Sequence, residues 1–198
     1  VRDTGSDLKL AQYDEASQQW SVTELAGPSW FNARPVICFD STGDPWVIWT
    51  RASAGGVGIN DPIADIVSAT RRTSVVAVHR QGGIWSDPVV LADSTDPDGP
   101  CPHSNVGPAA AAGPDGEITV AWVNRPDESG HTDRVMVRRF DGQTWAAPEA
   151  VSVFAADPDG RSDGNVQPLV SSPAVGYAEA APVVAWTHGV EVAADDGA

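Results

Sequence analysis

The sequence predicts an all-β protein made of a repeating unit of short strands. Three sets of residues recur along its 198 residues with a period of about one third of the chain, roughly 66 residues. They are the prolines of an Asn-x-x-Pro pattern (Pro35, Pro108, Pro168), tryptophans in the middle of each unit (Trp49, Trp122, Trp186) and tryptophans late in each unit (Trp20, Trp85, Trp145). A period in this range, with about four strands per unit, is typical of the blades of a β-propeller.

The composition agrees with this fold class. The 16 prolines and 19 glycines suit many tight turns, and the 8 tryptophans suit wedge-shaped spaces between sheets. Hydrophobic residues make up 41% of the chain and charged residues 20%, which predicts a packed core rather than disorder. No run of about 18 apolar residues is present, so we expect no membrane insertion.

Alternating apolar residues place the strands in order. The first half-unit holds strands at 8–13 and 20–25 and ends at Gly27-Pro28. The first full unit holds strands at 36–39, 45–50, 74–80 and 85–91, of which the second is apolar on both faces, as expected inside a stack of sheets. The second full unit holds strands at 118–122 and 135–139, followed by Trp145. The third unit holds strands at 169–172 and 182–187.

We therefore predict one β-propeller segment over residues 1–198, with about three four-stranded blades. Its units are the second half of a blade at 1–29, full blades at 30–94 and 95–153, the first half of a blade at 154–189, and a tail at 190–198. Three blades leave apolar end faces and open strand edges. Either further sequence closes the ring or another chain does, as a homo-oligomer; the same complementarity without closure would give a filament.

Two of the predicted hairpin turns end in tryptophan. One reads Asp141-Gly142-Gln143-Thr144-Trp145, and the other, Gln81 to Trp85, keeps its glycines without an Asp. They resemble degenerate forms of the Asp-box (BNR) repeat, Ser/Thr-x-Asp-x-Gly-x-Thr-Trp, of sialidase-like propellers in exported microbial proteins. The first lacks the spacer between Asp and Gly. The resemblance implies the propeller fold and a secreted or cell-surface protein, and it does not imply sialidase activity.

The net charge is −15, a field that repels phosphate backbones and anionic membranes, so nucleic acid is not an expected partner. Lys9 is the only lysine, which fits either adaptation to high salt or a GC-rich genome. Cys38 and Cys101 are the two cysteines; they form one disulfide if the protein is exported, or remain free.

Two acidic segments occupy the same place in successive repeats. Their carboxylates are Asp93, Asp96 and Asp98 in the first, and Asp157, Asp159 and Asp163 in the second. Asp-x-Asp-Gly spacing gathers carboxylates around a turn, which suits calcium. The alternative is that Asp-Pro-Asp-Gly is turn chemistry on an acidic surface. Calcium is the one cofactor that the sequence suggests.

No catalytic motif is present, so the sequence favours a non-catalytic protein over an enzyme. The candidate binding residues are Arg34, which precedes the first strand of its blade and can approach the ring axis, together with Arg51 and Trp46. The long loop from Arg51 to Arg72 interrupts the repeat and is the expected contact element.

Three functions fit this pattern. The first is a non-catalytic scaffold or recognition module for a protein or glycan. The second is part of a glycan-active sialidase-like hydrolase or a lectin that uses exposed tryptophans to bind sugars. The third is a self-assembling structural subunit.

Overall fold

The computed structural model describes residues 5–27, 30–53, 72–94, 103–126, 133–152 and 166–192, and these ranges contain strands and turns without a helix. The strands in chain order are β1 (Leu8–Asp14), β2 (Gln19–Ala26), β3 (Trp30–Phe39), β4 (Pro45–Ser53), β5 (Thr73–Gln81), β6 (Ile84–Trp85), β7 (Val89–Ala92), β8 (His103–Ala112), β9 (Ile118–Pro126), β10 (Arg134–Phe140), β11 (Glu149–Ala150), β12 (Val166–Ala178) and β13 (Ala181–Val192).

Two complete blades lie between two hairpins. Blade one is the antiparallel sheet β3-β4-β5 with β6 and β7 along the outer edge of β5. Blade two is β8-β9-β10-β11, and a single parallel pair between Thr73 and Ser104 links the two blades. The N-terminal hairpin is β1-β2, and the C-terminal hairpin is β12-β13. This confirms the predicted all-β propeller segment of a half, two full blades and a half.

The first strands of the successive units lie side by side, with β8 against both β3 and β12. We call β3, β8 and β12 the inner strands. The last strand, β13, continues to Val192, beyond residue 189 where we expected a tail to begin. It does so because Val190 and Val192 pair with the start of β12.

Three apolar layers fill the spaces between consecutive sheets, because the strands are apolar on both sides. In β4, Trp46 and Ile48 enter the layer shared with blade two, whereas Val47 and Trp49 enter the layer shared with the N-terminal hairpin. A third layer, which includes Val170, joins blade two to the C-terminal hairpin. Burying each large apolar side chain contributes about 1.5–3 kcal/mol.

Each inner strand contains a β-bulge before a proline. The pairing with the next strand shifts between Ala33 and Val36 in β3 and between Val106 and Ala109 in β8. In β12 it shifts around Ser172-Pro173. Pro173 is thus the counterpart of Pro35 and Pro108, and the sequence alignment on Pro168 was wrong. The backbone register, rather than an Asn-x-x-Pro match, fixes the equivalent position.

The two ends of the blades differ in how the strands are connected. At one end, which we call the hairpin face, the connections are the short turns 15–18, 40–44, 82–83, 113–117, 141–144 and 179–180. At the other end, the loop-bearing face, the strands lead into segments 54–71, 95–102, 127–132 and 153–165, which lie outside the described residues. The predicted contact loop and both acidic segments attach at this second face.

Cys38 lies buried in β3 and forms no disulfide within the part of the chain that the structure describes. Burial, with a smaller contribution from the Asp40 carboxylate, raises the pKa of this thiol to about 12, so it is unreactive at neutral pH. Cys101 lies outside the described residues, so a disulfide between the two stays a prediction.

Candidate functional site

At the loop-bearing face, a buried asparagine anchors each of the first two inner strands. Asn32 accepts a hydrogen bond from the indole N–H of Trp49 at 2.8 Å, and its amide donates to the Ser6 carbonyl at 2.5 Å. In blade two, the indole N–H of Trp122 donates to Asn105 at 3.0 Å. The Asn105 amide in turn donates back to the Thr73 and Asp93 carbonyls of blade one.

These asparagines are the first residues of the first two of the three Asn-x-x-Pro patterns. The pattern was recognised in the sequence, but its role in fixing the strand ends was not. The signal is the constant spacing of 17 residues from each asparagine to its tryptophan. In the third unit, Val170 takes the position of the asparagine and is fully buried, and Trp186 is 37% exposed. The third unit is held by apolar packing instead.

Arg34 lies on β3 at the bulge and is exposed. Its backbone has a φ of 53°, in the left-handed region, and its counterpart in β8 is Gly107, with a φ of 61°. A side chain in this conformation costs about 1–2 kcal/mol relative to glycine. The Arg34 guanidinium lies across the neighbouring strand, with Nη1 3.6 Å from the point where a Cβ on Gly107 would be. Arg34 therefore reaches from one inner strand to the next. Its role as a binding residue stays a prediction.

Arg51 lies opposite Asn32 on β4, and Asn32 is two residues before Arg34 on β3. Burial lowers the pKa of Arg51, and the nearby Asp93 carboxylate opposes that shift. Asp93 also accepts a hydrogen bond from the Ser74 hydroxyl at 3.4 Å. Asp93 is thus engaged at the end of blade one by contacts with neighbouring strands.

Asp93 is the one predicted calcium ligand among the described residues. The predicted ligands Asp96, Asp98, Asp157, Asp159 and Asp163 lie outside the described residues. Within the described ranges, no group of three or more His, Cys, Asp or Glu residues is arranged to hold a metal ion. Calcium binding stays a prediction.

Trp46, the third candidate binding residue, lies at the hairpin face, away from the two arginines. It is 4% exposed and stacks on His79 with ring centroids 4.4 Å apart. It also contacts Phe140 and Trp145, at 5.1 and 5.7 Å. Trp46 is therefore part of the core between the two complete blades, because blade two covers the side of β4 on which its ring lies. The ring is not available to stack on a sugar.

Sequence reasoning missed Asp133, a carboxylate at the loop-bearing face just before β10. Burial raises the pKa of Asp133 despite the Arg125 guanidinium, whose Nε lies 3.1 Å from the carboxylate, and despite the Val170 backbone N–H. The side chain is only 14% exposed. A position next to a predicted strand start was the available signal, but burial by β12, some 35 residues away, could not be read from it.

A cleft of about 520 Å³ lies on the hairpin face between the turns of the two blades, and Asp40, Asp44 and Asp115 are among its lining residues. Asp40 accepts hydrogen bonds from the backbone N–H groups of Thr42 and Asp44 at 2.9 and 3.0 Å. This carboxylate therefore shapes its own turn, and we assign the cleft a structural origin.

Comparison with known proteins identifies no family for this chain. No family model and no curated protein matches the sequence. Among solved structures, the chain is similar to the endo-arabinase from Bacteroides thetaiotaomicron VPI-5482, with 13% identity and a TM-score of 0.48. The match covers 86% of this chain and 61% of that structure. In the part of the chain that the structure describes, no helix has the length and apolar character to cross a membrane.

Proposed function

We propose that this chain is a non-catalytic recognition segment of a β-propeller, and that its ligand is a carboxylate-bearing glycan bound at the loop-bearing face around Arg34. The observation that carries the proposal is the charge pattern of the inner strands. Arg34 is the one permanently charged residue in β3, β8 and β12, and these three strands contain no Asp or Glu.

This pattern favours binding over hydrolysis. Glycoside hydrolysis generally uses two carboxyl groups that flank the scissile bond, about 5–10 Å apart. The inner strands supply none. A guanidinium, by contrast, matches a carboxylate with two parallel hydrogen bonds. The backbone strain at Arg34 also agrees with a functional role, since strained residues concentrate at binding sites.

An exported or cell-surface location is part of this proposal, since extracellular glycans carry uronic and sialic acids. The acidic chain repels such ligands over most of its surface. A short-range contact with Arg34 would therefore set both the place and the orientation of binding, and added salt should weaken binding only modestly.

The test compares binding to an array of acidic and neutral glycans. Arg34→Gly removes the guanidinium and also relieves the backbone strain, and an unchanged circular dichroism spectrum would show that lost binding does not result from unfolding. We expect wild-type binding to uronate- or sialate-bearing glycans, and at least tenfold weaker binding by Arg34→Gly, about 1.4 kcal/mol. Arg134→Ala, which removes an exposed arginine at the start of β10, is the matched control and should bind as wild type. Equal binding by Arg34→Gly and wild type would refute the proposal.

A second candidate is a glycan hydrolase to which this chain contributes one acidic group. The raised pKa of Asp133 favours it, because a general acid requires a carboxyl group whose pKa lies above the ordinary value. Arabinan and fluorogenic sialoside assays test this alternative. Turnover that disappears in Asp133→Asn would support it over the binding module.

A further inference from the structure

An aromatic pair on the N-terminal hairpin faces away from the rest of the molecule. Tyr13 and Trp20 lie opposite each other in the β1-β2 register, with ring centroids 5.3 Å apart. They are 43% and 67% exposed, and Val22 beside them is 65% exposed. Exposed apolar clusters of this kind commonly mark interaction surfaces.

The same position is covered in both complete blades. Phe140 and Trp145 form the corresponding cross-strand pair in blade two, and Trp145 packs against Trp46 of blade one. In blade one the pair is Arg80 and Trp85. Trp85 packs in the layer shared with the N-terminal hairpin, and Arg80 donates a hydrogen bond to Gln12 of that hairpin. In this fold the late tryptophan therefore packs on the sheet that precedes it.

Blade two is the sheet on which no late tryptophan packs, because the C-terminal hairpin that follows it carries none. A cleft of about 280 Å³ lies between blade two and the C-terminal hairpin, with Glu117, Arg139 and Tyr177 among its lining residues. Thr119 and Arg139 are paired across blade two as Trp46 and His79 are across blade one. The cleft therefore occupies the place that Trp145 fills between the two complete blades.

The apolar layers between consecutive sheets also show complementary side-chain sizes. Where blade one meets blade two, the large Trp46 and Ile48 pack against the small Ala110 and Ala112. Where blade two meets the C-terminal hairpin, the order is reversed, and the small Ala121 packs near the large Val175. In both of these layers, large side chains from one sheet meet small side chains from the next.

The two outward faces of the chain fit the same rule. On β3, Ile37 and Phe39 are 47% and 57% exposed on the side where a preceding inner strand would lie. On the outward side of the C-terminal hairpin, Ala174, Gly176 and Ala185 are small, and Val183, which is 49% exposed, is a larger apolar residue on the same side. A large set at one end of the chain thus meets a mostly small set at the other end.

We propose that the partner for both outward faces is a second copy of this chain. In each copy, β1-β2 joins β12-β13 of the other along the free edges of β1 and β13, and Trp20 enters the cleft beside Arg139 and Tyr177. Two such contacts are related by a two-fold axis and close a ring of six blades, two complete blades from each copy and two composite ones. Six is within the usual range of four to eight, and closure leaves no free sheet edge.

Light scattering on the purified chain is the first test. We expect a species of twice 20.7 kDa. Trp20→Glu should shift it to the monomer with an unchanged circular dichroism spectrum. Ile84→Glu is the matched control, since Ile84 is 75% exposed on a complete blade away from the proposed contact, and this variant should stay dimeric. A wild-type monomer, or a Trp20→Glu dimer, overturns the proposal.

A cysteine pair tests the register and does not depend on loss of assembly. The pairing of Trp46 with His79 maps onto Val183 and Gln12 in the composite blade. Opposed residues in antiparallel strands have Cα atoms about 4.5–5.5 Å apart, within the range that a disulfide spans.

In a Cys101→Ser background, Gln12→Cys/Val183→Cys should form a covalent dimer in air. Either single cysteine variant should remain uncross-linked. A ladder of larger species would show an open filament and overturn the closed ring, and the absence of a covalent dimer would overturn the register.

Discussion

The two faces of the propeller segment treat charged residues in opposite ways. At the hairpin face, charges support the turns. Backbone N–H groups of Thr144 and Gln143 lower the pKa of Asp141. For Asp40, burial pushes the pKa up, but hydrogen bonds from Thr42 and Asp44 outweigh that effect and lower the pKa overall. The folded state therefore favours the ionised form of both carboxylates.

At the loop-bearing face, folding places charged side chains in unfavourable surroundings or in a strained backbone conformation. Burial raises the pKa of Asp133 and lowers the pKa of Arg51, and Arg34 has a backbone conformation suited to glycine. Burial thus disfavours the charged forms of Asp133 and Arg51, and the left-handed backbone disfavours a side chain at position 34. The difference indicates that the hairpin face is built for stability, whereas the loop-bearing face holds residues for another purpose.

The largest effect expected of this comparison is at the hairpin face. Trp46→Ala removes a ring that contacts three other aromatic rings, so we expect the free energy of unfolding to fall by about 3–5 kcal/mol. Urea denaturation measures the change. Ile84→Ala, at an exposed position on the same face, should change stability by less than about 0.5 kcal/mol. A Trp46→Ala cost as small as that of the control would place Trp46 outside the core.

At the loop-bearing face, two buried asparagines anchor the strand ends, and Asn105 is the more buried of the two. Asn105→Ala should lower the free energy of unfolding by about 2–3 kcal/mol, because the buried indole N–H of Trp122 and the Thr73 carbonyl lose their partner. Asn124→Ala, which removes a neighbouring and less buried amide, should cost less than half as much. Equal costs for the two variants in urea denaturation would count against Asn105 as the anchor.

The sequence predicts a structural feature well when that feature depends on neighbouring residues, and poorly when it depends on residues far along the chain. Period-two alternation placed β4 and β5, and glycine-centred turns placed the hairpins, because both depend on neighbouring residues. The burial of Trp46 was missed because Trp145, about 100 residues later, covers it. Pro168 was taken for an anchor because the pattern fits locally, whereas the bulge at Pro173 is set by pairing with β13.

The candidate site shows the same limit. The sequence could propose Arg34 as a candidate because its position in the repeat unit is a local property. Asp133 was not found, since its raised pKa comes from burial against the C-terminal hairpin. The left-handed backbone at Arg34 was also invisible, although Gly107 at the matching position of the next repeat was a usable signal.

A smaller effect of opposite sign is expected at Arg34. Arg34→Gly should raise the free energy of unfolding by about 1 kcal/mol, because glycine adopts a φ of 53° without steric cost. Gly107→Ala provides the reverse change, and it should lower stability by a similar amount, about 1 kcal/mol. Thermal unfolding of the two variants measures both. A loss of stability in Arg34→Gly would mean that the guanidinium contributes more to the fold than the strain removes.

The smallest expected effect is a difference between the two faces in how their carboxylates make stability depend on pH. The folded-state pKa of Asp133 is raised, so its favourable contribution is full below the unfolded-state pKa, near 3.9, and is lost as pH rises through the folded value. The folded-state pKa of Asp40 is lowered, so its contribution is present above the unfolded-state pKa and is lost as pH falls through the folded value.

Asparagine variants make these signs measurable. As pH rises from about 3 to 7, the melting temperature of Asp133→Asn should increase relative to wild type, and that of Asp40→Asn should decrease relative to wild type. Asparagine keeps an acceptor for the Val170 N–H, so the Asp133→Asn change reports the carboxylate charge rather than a lost hydrogen bond. If both differences moved in the same direction with pH, the contrast between the two faces would not hold.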